Sequence, residues 1–237
     1  MDKGKYNIPK EGFFRCAMRA SFVRAYQFAA YCNQIKFDKA DEGAFYMASA
    51  LRGTCEDLIA LKFIRLLPRK QRDELVTIEM MLAVNKAVVE QTKFFRKQRP
   101  FQEVIRFRGD PAQIEALKER RAEIGRSSGL WNPGKDRKLP PMAQMAIKLG
   151  MREMYDYFYR VTSDVVHFNP RISLRSGWGD DPRRGKFSTA NFARYYLRFC
   201  QIYSLMLFTM MARAFCQRLA LEHDVSGGPG QIGDGLG

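Results

Sequence analysis

The stretch Tyr159-Arg160-Val161-Thr162-Ser163-Asp164-Val165-Val166-His167-Phe168-Asn169-Pro170 holds the residues best suited to chemistry in this chain. His167 is one of 2 histidines. It follows Arg160 by about two helical turns, so both side chains project from one face. Ser163 and Asp164 fall between them on that face. A cation, a titratable imidazole, a hydroxyl and a carboxylate in one row suit a phosphodiester substrate. Arg160 would hold phosphate charge and His167 would move a proton. The full row, Glu153, Asp156, Arg160, Ser163/Asp164 and His167, is also what the solvated side of an amphipathic helix looks like. Two details favour a site. The flanking Tyr155, Tyr157, Phe158, Tyr159, Val161, Val165, Val166 and Phe168 leave little circumference for water. The row also stops at Pro170, which puts His167 at a helix C-terminus, where the macrodipole favours its protonated form.

The elements that must position this row are helices. Apolar spacing predicts a first helix from Phe13 to about Ile35, and a second from Asp41 or Glu42 to Leu67, stopped by Pro68. A third follows Pro68-Arg69-Lys70 and runs to about Lys97. Asp110-Pro111 is set to cap a short charged helix ending near Ile124. Pro140-Pro141 opens another that ends at Gly150, Arg152 to Phe168 carries the row, and a last long helix runs from about Ser188 to His223. No strand pattern, internal repeat or Gly-rich phosphate loop is present. The expected fold is all-α, a single bundle of about five long helices over residues 1–223, with a basic excursion at 101–139 and a disordered Gly-rich tail at 224–237.

The second helix carries Arg52 and Glu56 at i, i+4, with Asp57 adjacent. Packed beside the His167 helix, Glu56 would pair with Arg160 or orient His167; otherwise Arg52 and Glu56 form an ordinary intrahelical ion pair. Trp131 and Trp178 lie in basic loops and would either stack on bases or plug the edge of the core.

Composition narrows the partners. The 237 residues carry 40 Lys and Arg against 25 Asp and Glu, a formal charge of +15 and a pI near 9.8. Such a balance favours a polyanion, RNA or another nucleic acid, over an anionic membrane. Cys16, Cys32, Cys55, Cys200 and Cys216 form no CxxC pair and no metal-ligand spacing with histidine. They read as buried free thiols of a reducing cytoplasm. No metal or other cofactor is expected. The N-terminus leads to no apolar signal segment, and the apolar run from Phe199 to Cys216 is interrupted by Gln201, Ser204, Thr209 and Arg213, so no membrane span is expected.

The Arg160…His167 element resembles the R-x(4–6)-H motif of the HEPN superfamily (higher eukaryotes and prokaryotes nucleotide-binding). Ala50-Leu51-Arg52-Gly53-Thr54-Cys55-Glu56, Met142-Ala143-Gln144-Met145-Ala146, Leu149-Gly150 and Tyr159-Arg160…Ser163…His167 resemble an uncharacterised bacterial helical family, itself HEPN-like. That family has an R-x-x-x-E helix and a Y-x-x-x-S-x-x-x-H helix, and is often linked with defence loci. The resemblance spans about residues 45 to 215. Val161 departs from it, standing where many such nucleases have a polar residue, often Asn, after the arginine.

The resemblance implies an all-α, metal-independent endoribonuclease or toxin-like effector of antiviral defence, acting as a homodimer or with a partner protein of a defence system. The catalytic set would be Arg160, His167, Ser163, Asp164 and Glu56. Nucleic acid would be held by Arg52, Arg120, Arg121, Arg137, Lys138, Arg171 and Arg175. The alternative is a non-catalytic helical module that binds nucleic acid or a partner protein through its basic surface. Either way, affinity for nucleic acid should fall steeply with salt. Reversing Arg120, Arg121, Arg137 and Lys138, which read as exposed, should weaken binding in a filter or anisotropy assay with little change in melting temperature.

Overall fold

The computed structural model describes residues 12–96, 110–166 and 188–224. These residues form an all-α protein, with seven α-helices, two 3-10 turns and no strand among them. The helices are α1 (Phe13–Gln34), α2 (Gly43–Ile64), α3 (Arg69–Phe95), α4 (Pro111–Ser128), α5 (Met142–Lys148), α6 (Arg152–Val166) and α7 (Ala193–Asp224). Most predicted helices are found near their predicted bounds, but α4 runs on to Ser128, a 3-10 turn (Thr189–Phe192) precedes α7, and the predicted ends at Lys97 and Phe168 lie outside the described residues. Asp110 accepts a hydrogen bond from the Ala112 N–H (3.0 Å) and Pro111 occupies the first turn of α4. Gly150, at φ +65°, ends α5, and the Met151 N–H donates back to the Ala146 carbonyl (2.8 Å). Residues 225–237 of the expected tail and the basic loop that holds Trp178 lie outside the described residues, while Asp224 is the last residue of α7.

The described residues fall into two compact units, drawn from Met1–Arg19 with Ile59–Tyr155 and from Ala20–Leu58 with Asp156–Gly237. In the first, the end of α2, α3 and α4 bury Leu61, Phe63, Leu75, Ile78, Ala122 and Ile124. Asp73 of α3 accepts from the Phe14 N–H (2.9 Å), satisfying an orphan donor at the start of α1. The described part of the basic segment, 110–139, is not an excursion. Arg120 pairs with Glu74 of α3 at 2.6 and 2.9 Å. Arg121 donates to Glu79 (2.9 Å) and to the Arg137 carbonyl (2.6 Å). Arg137, at φ +51°, pairs with Glu115 (2.9 Å) and Glu119. The Arg121 side chain is only 10% exposed, so the exposure read from sequence fails there. Removing that cation would strand Glu79 and a carbonyl. Composition could not reveal this, because the neutralising glutamates are spread over two helices. The Arg120 guanidinium holds the Glu74 carboxyl below the usual carboxylate range. With a depressed folded value, that contribution is fully present above the ordinary carboxylate pKa and is lost as pH falls from there through the depressed folded value.

The second unit packs small residues at regular spacing. Ala44, Ala48, Leu51, Cys55 and Leu58 line one face of α2, and Ala25, Ala29 and Cys32 one face of α1. α7 contributes Leu197, Cys200, Ser204, Leu207 and Met211. Gln201 of α7 donates to the carbonyls of Cys32 (3.2 Å) and Ile35 (3.0 Å), closing the C-terminal end of α1.

Two helical glycines make opposite demands. Gly125 of α4 lies under Trp131, which is buried against Phe63 (ring centroids 5.9 Å) and so plugs the core. A Cβ on Gly125 would sit 2.5 Å from the indole. Gly53 of α2 is exposed, and a Cβ there would meet nothing within 4 Å. Gly53→Ala should therefore raise stability by about 0.5–1 kcal/mol. Gly125→Ala gains the same propensity but loses about 1–3 kcal/mol to overpacking, so its midpoint in urea should fall. Equal shifts of one sign in the two variants would contradict this packing.

Candidate functional site

The row read from sequence sits on α6, which is strongly one-sided. Phe158 and Thr162 are buried, and the Thr162 hydroxyl donates to the Phe158 carbonyl (2.6 Å). Arg160 is exposed on the opposite side. Ser163 is half-buried, and its Oγ is shielded from solvent with no hydrogen-bond partner among the described residues. Asp164 belongs to α6, but its side chain lies outside the described part, as do His167, Arg171, Arg175 and Trp178.

α2 meets this helix in the second unit. The Arg52 guanidinium carbon lies 4.5 Å from the centre of the Tyr159 ring, a cation–π contact. Its Nε donates to Glu56 Oε1 at 2.9 Å, the intrahelical form of the pair. Arg52 and Glu56 are thus brought to the residue beside Arg160. Asp57 is taken up by Arg24 of α1. Arg120, Arg121, Arg137 and Lys138 belong to the first unit, each already paired with acids; Lys138 with Asp136 at 2.9 Å is the most exposed of these pairs.

Tyrosines form a part of this surface that the sequence reading left as mere flanks. Tyr157 and Tyr203 share a hydrogen bond between their hydroxyls (3.2 Å), and Phe199 packs on Tyr203 with centroids 4.7 Å apart. Burial, then the Tyr203 hydroxyl, push the Tyr157 phenol up, so it stays protonated. The signal for this cluster was the lack of any acid between Asp181 and Glu222, alongside Arg194, Tyr195 and Arg198. Thiols contribute no nucleophile here. Burial pushes Cys32 up to about 11, and Cys55 and Cys200 up to about 12, leaving them as neutral thiols at physiological pH. Among the described residues no group of three or more His, Cys, Asp or Glu could hold a metal ion, and no helix is long and apolar enough to cross a membrane.

Residues 46–184 match the model of a family of unknown function, DUF5677. The chain belongs to this family. The matched span takes in Arg52, Glu56, Arg160, Ser163 and His167, and leaves α1 and α7 outside it. Comparison with curated proteins and with solved structures yields no match.

Arg52 joins α2 to α6 and holds Glu56 at once. A cation–π contact at a partly exposed site and an i, i+4 ion pair together contribute about 1 kcal/mol. Arg52→Ala should lower unfolding stability by that amount in urea. Arg52→Lys should recover only part, because an ammonium lacks the planar face that lies on Tyr159. A lysine variant as stable as the wild type would show that stacking contributes nothing.

Proposed function

We propose that this chain is a metal-independent endoribonuclease of HEPN-like type, in the manner of the toxin-like effectors of bacterial defence. The observation that carries the reading is the exposed Arg160 on α6, in a row with Ser163 and beside the Arg52–Tyr159 contact. The resemblance of Arg160…His167 to the R-x(4–6)-H motif supplies the reaction type.

In this mechanism Arg160 binds the scissile phosphate and stabilises the added negative charge of the phosphorane. His167 removes the proton from a ribose 2′-hydroxyl, or protonates the leaving 5′-oxygen. Attack of the 2′-oxygen on phosphorus breaks the bond to the 5′-oxygen and leaves a 2′,3′-cyclic phosphate. Glu56 acts at one remove, by holding Arg52 on Tyr159 and so fixing the surface beside Arg160. A homodimer, or a partner from a defence system, would complete the working particle. The alternative, a binding module acting through the basic segment, is weakened by the glutamates that already occupy Arg120, Arg121 and Arg137.

His167→Ala and Arg160→Ala should each reduce RNA cleavage by about a hundredfold or more, with helical circular dichroism unchanged and RNA still bound. Cleavage by the wild type should persist in EDTA. A wild-type protein that leaves RNA intact alone and with its native partners, or variants that keep full activity, would sink the catalytic reading.

A further inference from the structure

The face where α6 and α7 meet in the second unit combines exposed rings with exposed cations, of which Arg194 also lies 5.7 Å from the centre of the Phe37 ring. Tyr195 is 57% exposed and Tyr157 43%. Both are braced from below by Phe199, which is buried. Tyr195 stacks on it at 6.3 Å and 23°, and Tyr157 lies 6.3 Å away at a tilt. Arg160 stands one turn from Tyr157 on α6, and Arg194 and Arg198 flank Tyr195 on α7; all three are exposed. α7 carries no acid before Glu222, whereas on α6 Asp156 and Glu153 lie on the Arg160 row.

We propose that this face is a stacking platform for unpaired nucleic-acid bases, with Tyr157 and Tyr195 as the rings and Arg160, Arg194 and Arg198 against the phosphate backbone. Rings held by packing lose little freedom when a base lands on them, and every base offers a π-face. Guanidinium groups set within a turn of each ring supply the charge that a sugar-phosphate backbone needs. The cations of α7 have no acid on that helix before Glu222 to answer them, so the charge of this face fits a polyanion better than a second copy, in which Asp156 and Glu153 of α6 would be the acids on offer. The proposal takes RNA as ligand from the ribonuclease reading and shares Arg160 with it, but it concerns binding alone.

The test uses the full chain and a fluorescent 2′-O-methyl oligouridine of about 12 nucleotides, in which attack by the 2′-oxygen is blocked. A duplex of the same length serves as control, both followed by anisotropy at fixed ionic strength. Tyr195→Leu keeps apolar bulk and loses the π-face, and Tyr195→Phe keeps both. Tyr195→Leu should weaken single-strand binding about fivefold or more, Tyr195→Phe should bind as the wild type does, and duplex affinity should not change. Equal single-strand affinity in Tyr195→Leu and wild type overturns the platform, as does an equal loss on the duplex. A wild type that ignores the oligouridine but binds an acidic amphipathic peptide also overturns it and reassigns the face to a protein partner. Cleavage of unmodified RNA is measured in parallel. Cleavage with unaltered Tyr195→Leu binding removes the platform and leaves the ribonuclease. Tyr195-dependent binding without cleavage does the reverse.

Discussion

A helix must do something with the carbonyls at its C-terminal end, and in α1 that demand organises the second unit. Gln201 reaches the carbonyls of Cys32 and Ile35 with a single amide. An amide that must meet both fixes the register of α7 to within a residue. Cys200 and Ser204, its neighbours on the helix, then fall against the Cys32 face. Phe199 and Tyr203 fall on the side that meets α6, where Tyr203 takes the Tyr157 hydroxyl. The setting of Tyr157 fixes which way α6 faces, and hence where Arg160 emerges. The small residues Ala25 and Ala29 of α1 and Ala44 and Ala48 of α2 are buried in the same unit.

The sequence made the local features legible. Helix spans, the Asp110 cap and the Gly150 stop depend on residues within a turn of one another. What it hid are pairings between distant positions. The Arg120–Glu74 pair spans 46 residues, as does the Tyr157–Tyr203 hydrogen bond. Composition therefore sets 101–139 apart as a basic excursion, although the structure places α4 against α3 with its arginines neutralised. Arg52 shows the same limit. Its i, i+4 glutamate is visible in the chain, whereas its place on Tyr159 needs two helices brought together. The polar row of α6 was legible as a row; the position of His167 itself lies outside the described residues.

The formal charge of +15 already counts these acids, and the pairings show which cations they neutralise locally. Arg120, Arg126 and Arg137 already have glutamates as counter-ions. A polyanion arriving there would have to displace carboxylates rather than mobile salt, and would gain little from counter-ion release. The second unit is nearly neutral by sequence, yet it presents exposed arginines with no acid beside them along α7. Where the arginines stand matters more than how many there are.

Arg137 stands in the left-handed region, at φ +51°, where a residue with a Cβ is about 1–2 kcal/mol less comfortable than glycine. Its guanidinium is tied to Glu115 and Glu119 while its carbonyl takes the Arg121 Nε–H. The turn from Asn132 to Lys138 is therefore tied to α4 through Glu115, Glu119 and the buried Arg121 cation. Loss of that cation would let the backbone relax into an ordinary conformation and draw its own guanidinium off the two glutamates, so that one broken contact propagates as a change of loop shape.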